Sequence, residues 1–168
     1  LYLCSARLPD HPASAANAVT IARMLLDRGA DPNAYYLGGN ETIHYTALTC
    51  TIGRGEEQAP THPAGRELAA LLLERGAEPY DMQLFYNGFA GHASHGHLAE
   101  DDLVWLLELI YREAIKRGRQ ADWADPEWTA LNMGGYGSGA WYLLHTALKG
   151  NYLTIAEWAL AHRASPNP

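Results

Sequence analysis

Cysteine is nearly missing from this chain: its 168 residues hold only Cys4 and Cys50. Two thiols close at most one bridge, so a disulfide framework is excluded as the source of stability, and a reducing compartment is favoured. Phenylalanine is equally scarce, at two residues. Positive charge is thin as well. Twelve Lys and Arg face nineteen Asp and Glu, for a net charge of −7, and that balance repels phosphate backbones and argues against nucleic acid as a partner. No apolar run approaches the roughly 18 residues that cross a membrane, so no membrane span is expected. An initiator Met and a signal-peptide pattern are also lacking; Leu1 opens the chain in mid-motif, as expected of a fragment of a longer protein. The expected location is cytoplasmic.

What the chain does contain is repetition. Leu25-Leu26-Asp27-Arg28-Gly29-Ala30-Asp31-Pro32-Asn33 returns as Leu72-Leu73-Glu74-Arg75-Gly76-Ala77-Glu78-Pro79-Tyr80, and in worn form as Ala159 to Asn167. Self-similarity at intervals of a few tens of residues marks a stacked-repeat protein, each unit burying its apolar face against its neighbours. Before each phrase, apolar side chains recur at i, i+3, i+4: Ile21, Met24 and Leu25; Leu68, Leu71 and Leu72; Ile155, Trp158 and Ala159. That spacing predicts a helix with one apolar stripe. Gly29 and Gly76 fall where a left-handed residue would end it, and Pro32 and Pro79 prevent its restart. A second, shorter apolar segment precedes two of these helices, at Thr46 to Gly55 and at Leu143 to Asn151. Short helix, turn, longer helix, glycine stop and extended linker together predict a helix-pair repeat.

These residues resemble the ankyrin repeat, whose short helix opens on Thr-Pro-Leu-His-x-Ala and whose second helix ends on Leu-Leu-x-x-Gly-Ala-Asp-Pro-Asn. Thr46 and Leu48 match the opening, with Ala47 in place of proline; Leu144, His145 and Ala147 match it again, with Tyr142 in place of threonine. Gly29 to Asn33 and Gly76 to Pro79 match the closing phrase. The resemblance implies an all-α fold, an ankyrin-type α-solenoid of about four stacked helix pairs joined by hairpin-like finger loops. It implies one domain over 1–168, with repeats at roughly 1–34, 35–80, 81–122 and 123–168. Helix-ending positions 29, 76, 118 and 163 lie further apart than the family's usual period of roughly 33 residues. The excess sits in proline-bearing insertions at Leu8 to Ala16 and Glu57 to Ala64, and in a long third-repeat helix from about Glu100 through Ile115.

Two Gly-Gly connectors align without a gap: Leu37-Gly38-Gly39 ahead of Tyr45-Thr46, and Met133-Gly134-Gly135 ahead of Trp141-Tyr142. A Gly-Gly pair supplies the positive φ of a tight hairpin turn. Tyr35 to Tyr45 therefore reads as one finger and about Trp128 to Trp141 as a larger one. In the resembled family such fingers line a concave groove that holds protein partners. Ten Tyr and five Trp favour rings with a polar handle, the type that anchors interfaces. The expected partner contacts are Tyr35, Tyr36, Asn40, Tyr45, Trp128, Tyr136 and Trp141, with packing between fingers as the competing role for Tyr45 and Trp141.

Reactive chemistry finds little support. His92, His95 and His97, followed by Glu100, Asp101 and Asp102, carry ligand types suited to Zn²⁺. The competing reading makes Gly96-His97 the turn between paired helices and leaves the other two histidines on a wet surface; that reading is preferred. Met133 to Gly139 is glycine-rich but lacks the Lys-Ser or Lys-Thr and the leading strand of a phosphate loop. By the resemblance, His145 ties adjacent repeats together. The function expected is thus a non-catalytic protein-binding scaffold with no cofactor and no metal. Alternatively the chain is a structural or regulatory segment packed against other parts of its own larger parent; as a scaffold it is expected to be monomeric.

Overall fold

The computed structural model describes residues 12–38, 41–53, 60–89, 98–131 and 137–167. In chain order these form α1 (Pro12–Leu26), β1 (Tyr35–Gly38), β2 (Ile43–Thr46), α2 (Ala47–Ile52), α3 (Gly65–Glu74), α4 (Met82–Phe89), α5 (Glu100–Lys116), α6 (Gln120–Ala124), α7 (Gly139–Gly150) and α8 (Leu153–Ala161). The protein is therefore mostly helical, with a two-stranded antiparallel hairpin inserted ahead of α2.

The repeated phrase is a repeated way of ending a helix. At α3 the Gly76 N–H donates to the Leu73 carbonyl and the Ala77 N–H to Leu72. The same two bonds close α1 (Gly29 to Leu26, Ala30 to Leu25), α5 (Gly118 to Ile115, Arg119 to Ala114) and α8 (Arg163 to Leu160, Ala164 to Ala159). This pattern satisfies carbonyls the helix leaves open and demands a left-handed residue just past the cap. Gly29, Gly76 and Gly118 stand there at φ 88, 102 and 76, while Arg163 takes φ 70 without a glycine's freedom. The worn phrase at the C-terminus thus keeps the geometry after losing the residue that makes it easy.

These four helices pack in sequence, α1 on α3, α3 on α5 and α5 on α8. Shorter partners sit alongside: α2 packs on both α3 and α4, and α7 packs on α8. Leu68, Leu71 and Leu72 of α3 are buried, as are Leu103, Leu106, Leu107 and Ile110 of α5 and Ile155, Trp158 and Ala159 of α8. The stripe expected on α1 is corrected. Ala18 and Ala22 are its buried residues, whereas Met24 and Leu25 lie half exposed. Small side chains, and not the larger Met24 and Leu25, therefore form the buried face of α1.

Two side chains fasten one helix-ending loop to the next. The Asn33 side-chain amide donates to the Gly76 carbonyl at 3.0 Å, and its oxygen accepts from the Glu78 N–H at 2.8 Å. One unit on, Arg117 donates to the carbonyls of Ala77 (2.7 Å) and Leu73 (2.6 Å). Beyond α5 the core turns aromatic. Trp123, Trp128 and Trp158 meet at centroid distances of 5.1–5.9 Å, and Tyr111 closes on Trp123 edge-on at 5.0 Å. Such tilted and T-shaped pairs set the positive ring edge against the negative face.

Candidate functional site

The hairpin is where the expected finger is best defined. Tyr35 pairs with Thr46, Tyr36 with Tyr45, Leu37 with His44 and Gly38 with Ile43. Successive residues of a strand point to opposite faces, so the pairs sort into two sets. On one face Tyr35 stacks on His44, with centroids 4.1 Å apart and planes 6° from parallel. On the other, Tyr36 stacks on Tyr45 at 5.0 Å. At the end of the hairpin the Thr42 N–H donates to the Gly38 carbonyl, and among the described residues of the turn Glu41 is left-handed at φ 67. Gly38 has no positive φ. It is needed because a Cβ there would lie 2.5 Å from the Tyr45 ring.

The Tyr35–His44 face borders a groove of about 490 Å³ between the hairpin and the loop joining α3 to α4. Pro32, Leu48, Ala77 and Met82 supply apolar walls, with Glu78 and Asp81 bringing negative charge. Tyr35 and Met82 are 49% and 45% exposed, so both remain available to a visitor. Asp81 is buried and fixed in place. Its Oδ2 accepts from the hydroxyls of Thr46 (2.5 Å) and Thr49 (3.0 Å), and its Oδ1 from the Leu84 N–H at 3.0 Å. Thr46 in turn caps α2 through the Thr49 N–H at 3.0 Å. One carboxylate therefore joins the finger, the short helix behind it and the first turn of the next short helix. Beyond the rim, Arg119 donates to Glu78 at 2.6 Å and lies 3.8 Å over the Tyr80 ring. Burial, with Asp122 adding to it, pushes the Tyr80 hydroxyl up to about 12.

The seven expected contact residues part company here. Tyr35 lines the groove; Tyr36 is 42% exposed on the opposite hairpin face. Tyr45 is buried beneath Tyr36, the packing role set beside contact for it. Trp128 is a correction: it is fully buried in the tryptophan cluster, with its indole N–H donating to the His162 carbonyl at 3.2 Å, and presents no surface. Trp141 is exposed but belongs to α7 rather than to a finger, because Ser138 caps that helix and starts it earlier than expected. His145 is corrected too. It is exposed and stacks on Trp141 at 5.1 Å instead of tying repeats together. Asn40 and Tyr136 lie outside the described residues, as do Gly39, Met133 to Gly135, Cys4 and the His92, His95 and His97 trio.

His44, Asp81 and Met82 escaped sequence reasoning. A signal for Asp81 existed, an Asp directly ahead of the apolar-periodic run Met82, Phe85 and Phe89. A second, smaller cleft of about 260 Å³ lies between α3 and α5, lined by His62, Arg66, Asp102 and Trp105. There Arg66 pairs with Asp102 and sits 5.0 Å over the Trp105 ring. Among the described residues no group of three or more His, Cys, Asp or Glu could hold a metal ion. No helix among them is long and apolar enough to cross a membrane. No protein-family model, curated protein or solved structure matches the chain.

Proposed function

We propose that this chain is a divergent ankyrin-type stack of helix pairs and works as a non-catalytic scaffold that recognises a protein partner. Four helix ends built alike and long helices packed in sequence support the stack. The observation that carries the function is the groove beside the hairpin. A half-exposed Tyr35, held flat on His44 by a paired strand, offers rigid aromatic area that costs little conformational entropy on docking. Site-specific photo-crosslinking in cells producing the full chain tests this. A crosslinking side chain at Tyr35 should trap a defined partner protein, whereas one at exposed Glu157 of α8 should not. Equal trapping at both positions, or none at Tyr35, refutes the groove as the recognition face.

A second reading rests on the last helix pair, where Leu148, Leu153 and Leu160 are 81%, 68% and 51% exposed. Apolar surface left open on an end pair suits a segment that packs against further structure. Sedimentation of the isolated chain separates the two: a monomer at all concentrations favours the scaffold, and progressive association favours the packed segment.

A further inference from the structure

We propose that the groove beside the hairpin receives an arginine side chain from a protein partner, an assignment that rests on the scaffold reading above. The argument is one of charge and shape together. Asp81 is buried at the groove with three neutral donors on it, and no Lys, Arg or His ion-pairs with it among the described residues. A carboxylate has room for about four hydrogen bonds, so one acceptor site is left over. Burying such a charge without a counter-ion is costly, and a cation arriving from outside lowers that cost. Among the described residues no lysine or arginine lines the groove. Glu78, on the rim, is already paired with Arg119, so the negative charge left without a counter-ion at the groove is that of Asp81.

The walls favour arginine over lysine. Tyr35 is held parallel to His44 with half its surface open, so the hairpin presents a flat ring. A planar guanidinium stacks on such a ring while its fork of N–H donors reaches a carboxylate beyond; a compact, strongly hydrated ammonium does this less well. Met82 and Pro32 give the aliphatic stem of the side chain an apolar surface to lie on. The protein itself already uses this combination at the neighbouring loop, where Arg119 covers the Tyr80 ring and pairs with Glu78 and Asp122.

Arrays of short peptides with the central position fixed as Arg, Lys, Leu or Glu, probed with the purified full chain, test the assignment. Retention should be strongest for Arg, weaker for Lys and least for Glu. Tyr35→Ala should lower the Arg signal by about tenfold, the scale of one well-formed cation–aromatic contact, while Tyr35→Phe should retain it. An unchanged melting temperature for both Tyr35 variants shows that the fold is intact. Equal retention of Arg and Leu peptides overturns the proposal, as does an Arg signal untouched by Tyr35→Ala, or no retention of any peptide. If Leu peptides bind best and Tyr35→Ala abolishes their binding, the arginine assignment falls while the groove stands as a recognition face.

Discussion

Replacing Leu72 by Ala puts the packing of α3 between α1 and α5 to a quantitative test. Leu72 is 3% exposed on α3, the helix that α1 covers on one side and α5 on another. Removing three carbon atoms forfeits about 2.4 kcal/mol of transfer free energy at roughly 0.8 kcal/mol per methylene. The void left behind adds about 24 cal/mol per Å³ that the neighbours fail to fill, for a total of about 3–5 kcal/mol. For a chain of this length each kcal/mol lowers the melting temperature by about 2–4 °C, so a fall of at least about 6 °C is expected. Urea unfolding followed by circular dichroism supplies the free energy directly, and calorimetry the temperature. Leu148 is the internal control: at 81% exposed it carries the same side chain on α7 with almost nothing to lose, and Leu148→Ala should stay within about 0.5 kcal/mol of the parent. A Leu72→Ala loss below about 1 kcal/mol, or equal losses at the two leucines, would refute the packing order described here.

Two further outcomes follow from single contacts. Gly139 opens α7 where a Cβ would sit 2.6 Å from the Leu131 Cβ and 2.8 Å from the Leu131 carbonyl oxygen, so Gly139→Ala should destabilise by about 1–3 kcal/mol in urea unfolding, despite alanine's better helix propensity. His62 is buried, and its Nδ1 accepts from the Ala64 N–H at 2.9 Å while its Nε2 finds no hydrogen-bond partner among the described residues. Desolvation holds its pKa below the usual 6.5. The folded state then refuses a proton that the unfolded chain accepts, so stability is full above pH 6.5 and declines as the pH falls below it. His62→Asn keeps an acceptor for Ala64 and removes the titration; its urea midpoint should vary less than the parent's below pH 6.5, and parallel curves would exclude His62 as the cause.

Helix ends were the most legible part of this chain, because their cause is local. A left-handed position after a helix needs glycine or tolerates it best, so Gly29 and Gly76 announced their own geometry, and position 118 followed by spacing. The α3 stripe and the long α5 were readable for the same reason: a period of 3.6 is written along the chain itself. Even the hairpin could be placed from its connector, though Gly38 serves the Tyr45 ring and not the turn's φ.

Which aromatic faces outward is a different kind of question. Tyr35 and Tyr36 are identical neighbours, and only the pairing register with β2 sends one to the groove and the other onto Tyr45. Trp128 looked like a finger residue by position, yet Trp123 and Trp158, brought in from separate helices, enclose it entirely. Sequence alone therefore determined the mostly helical make-up and where each long helix stops, since both depend on contacts a few residues apart. The tertiary structure decided the groove, because Asp81 meets Thr46 across 35 positions of chain, and no periodicity records which distant side chains will share one carboxylate.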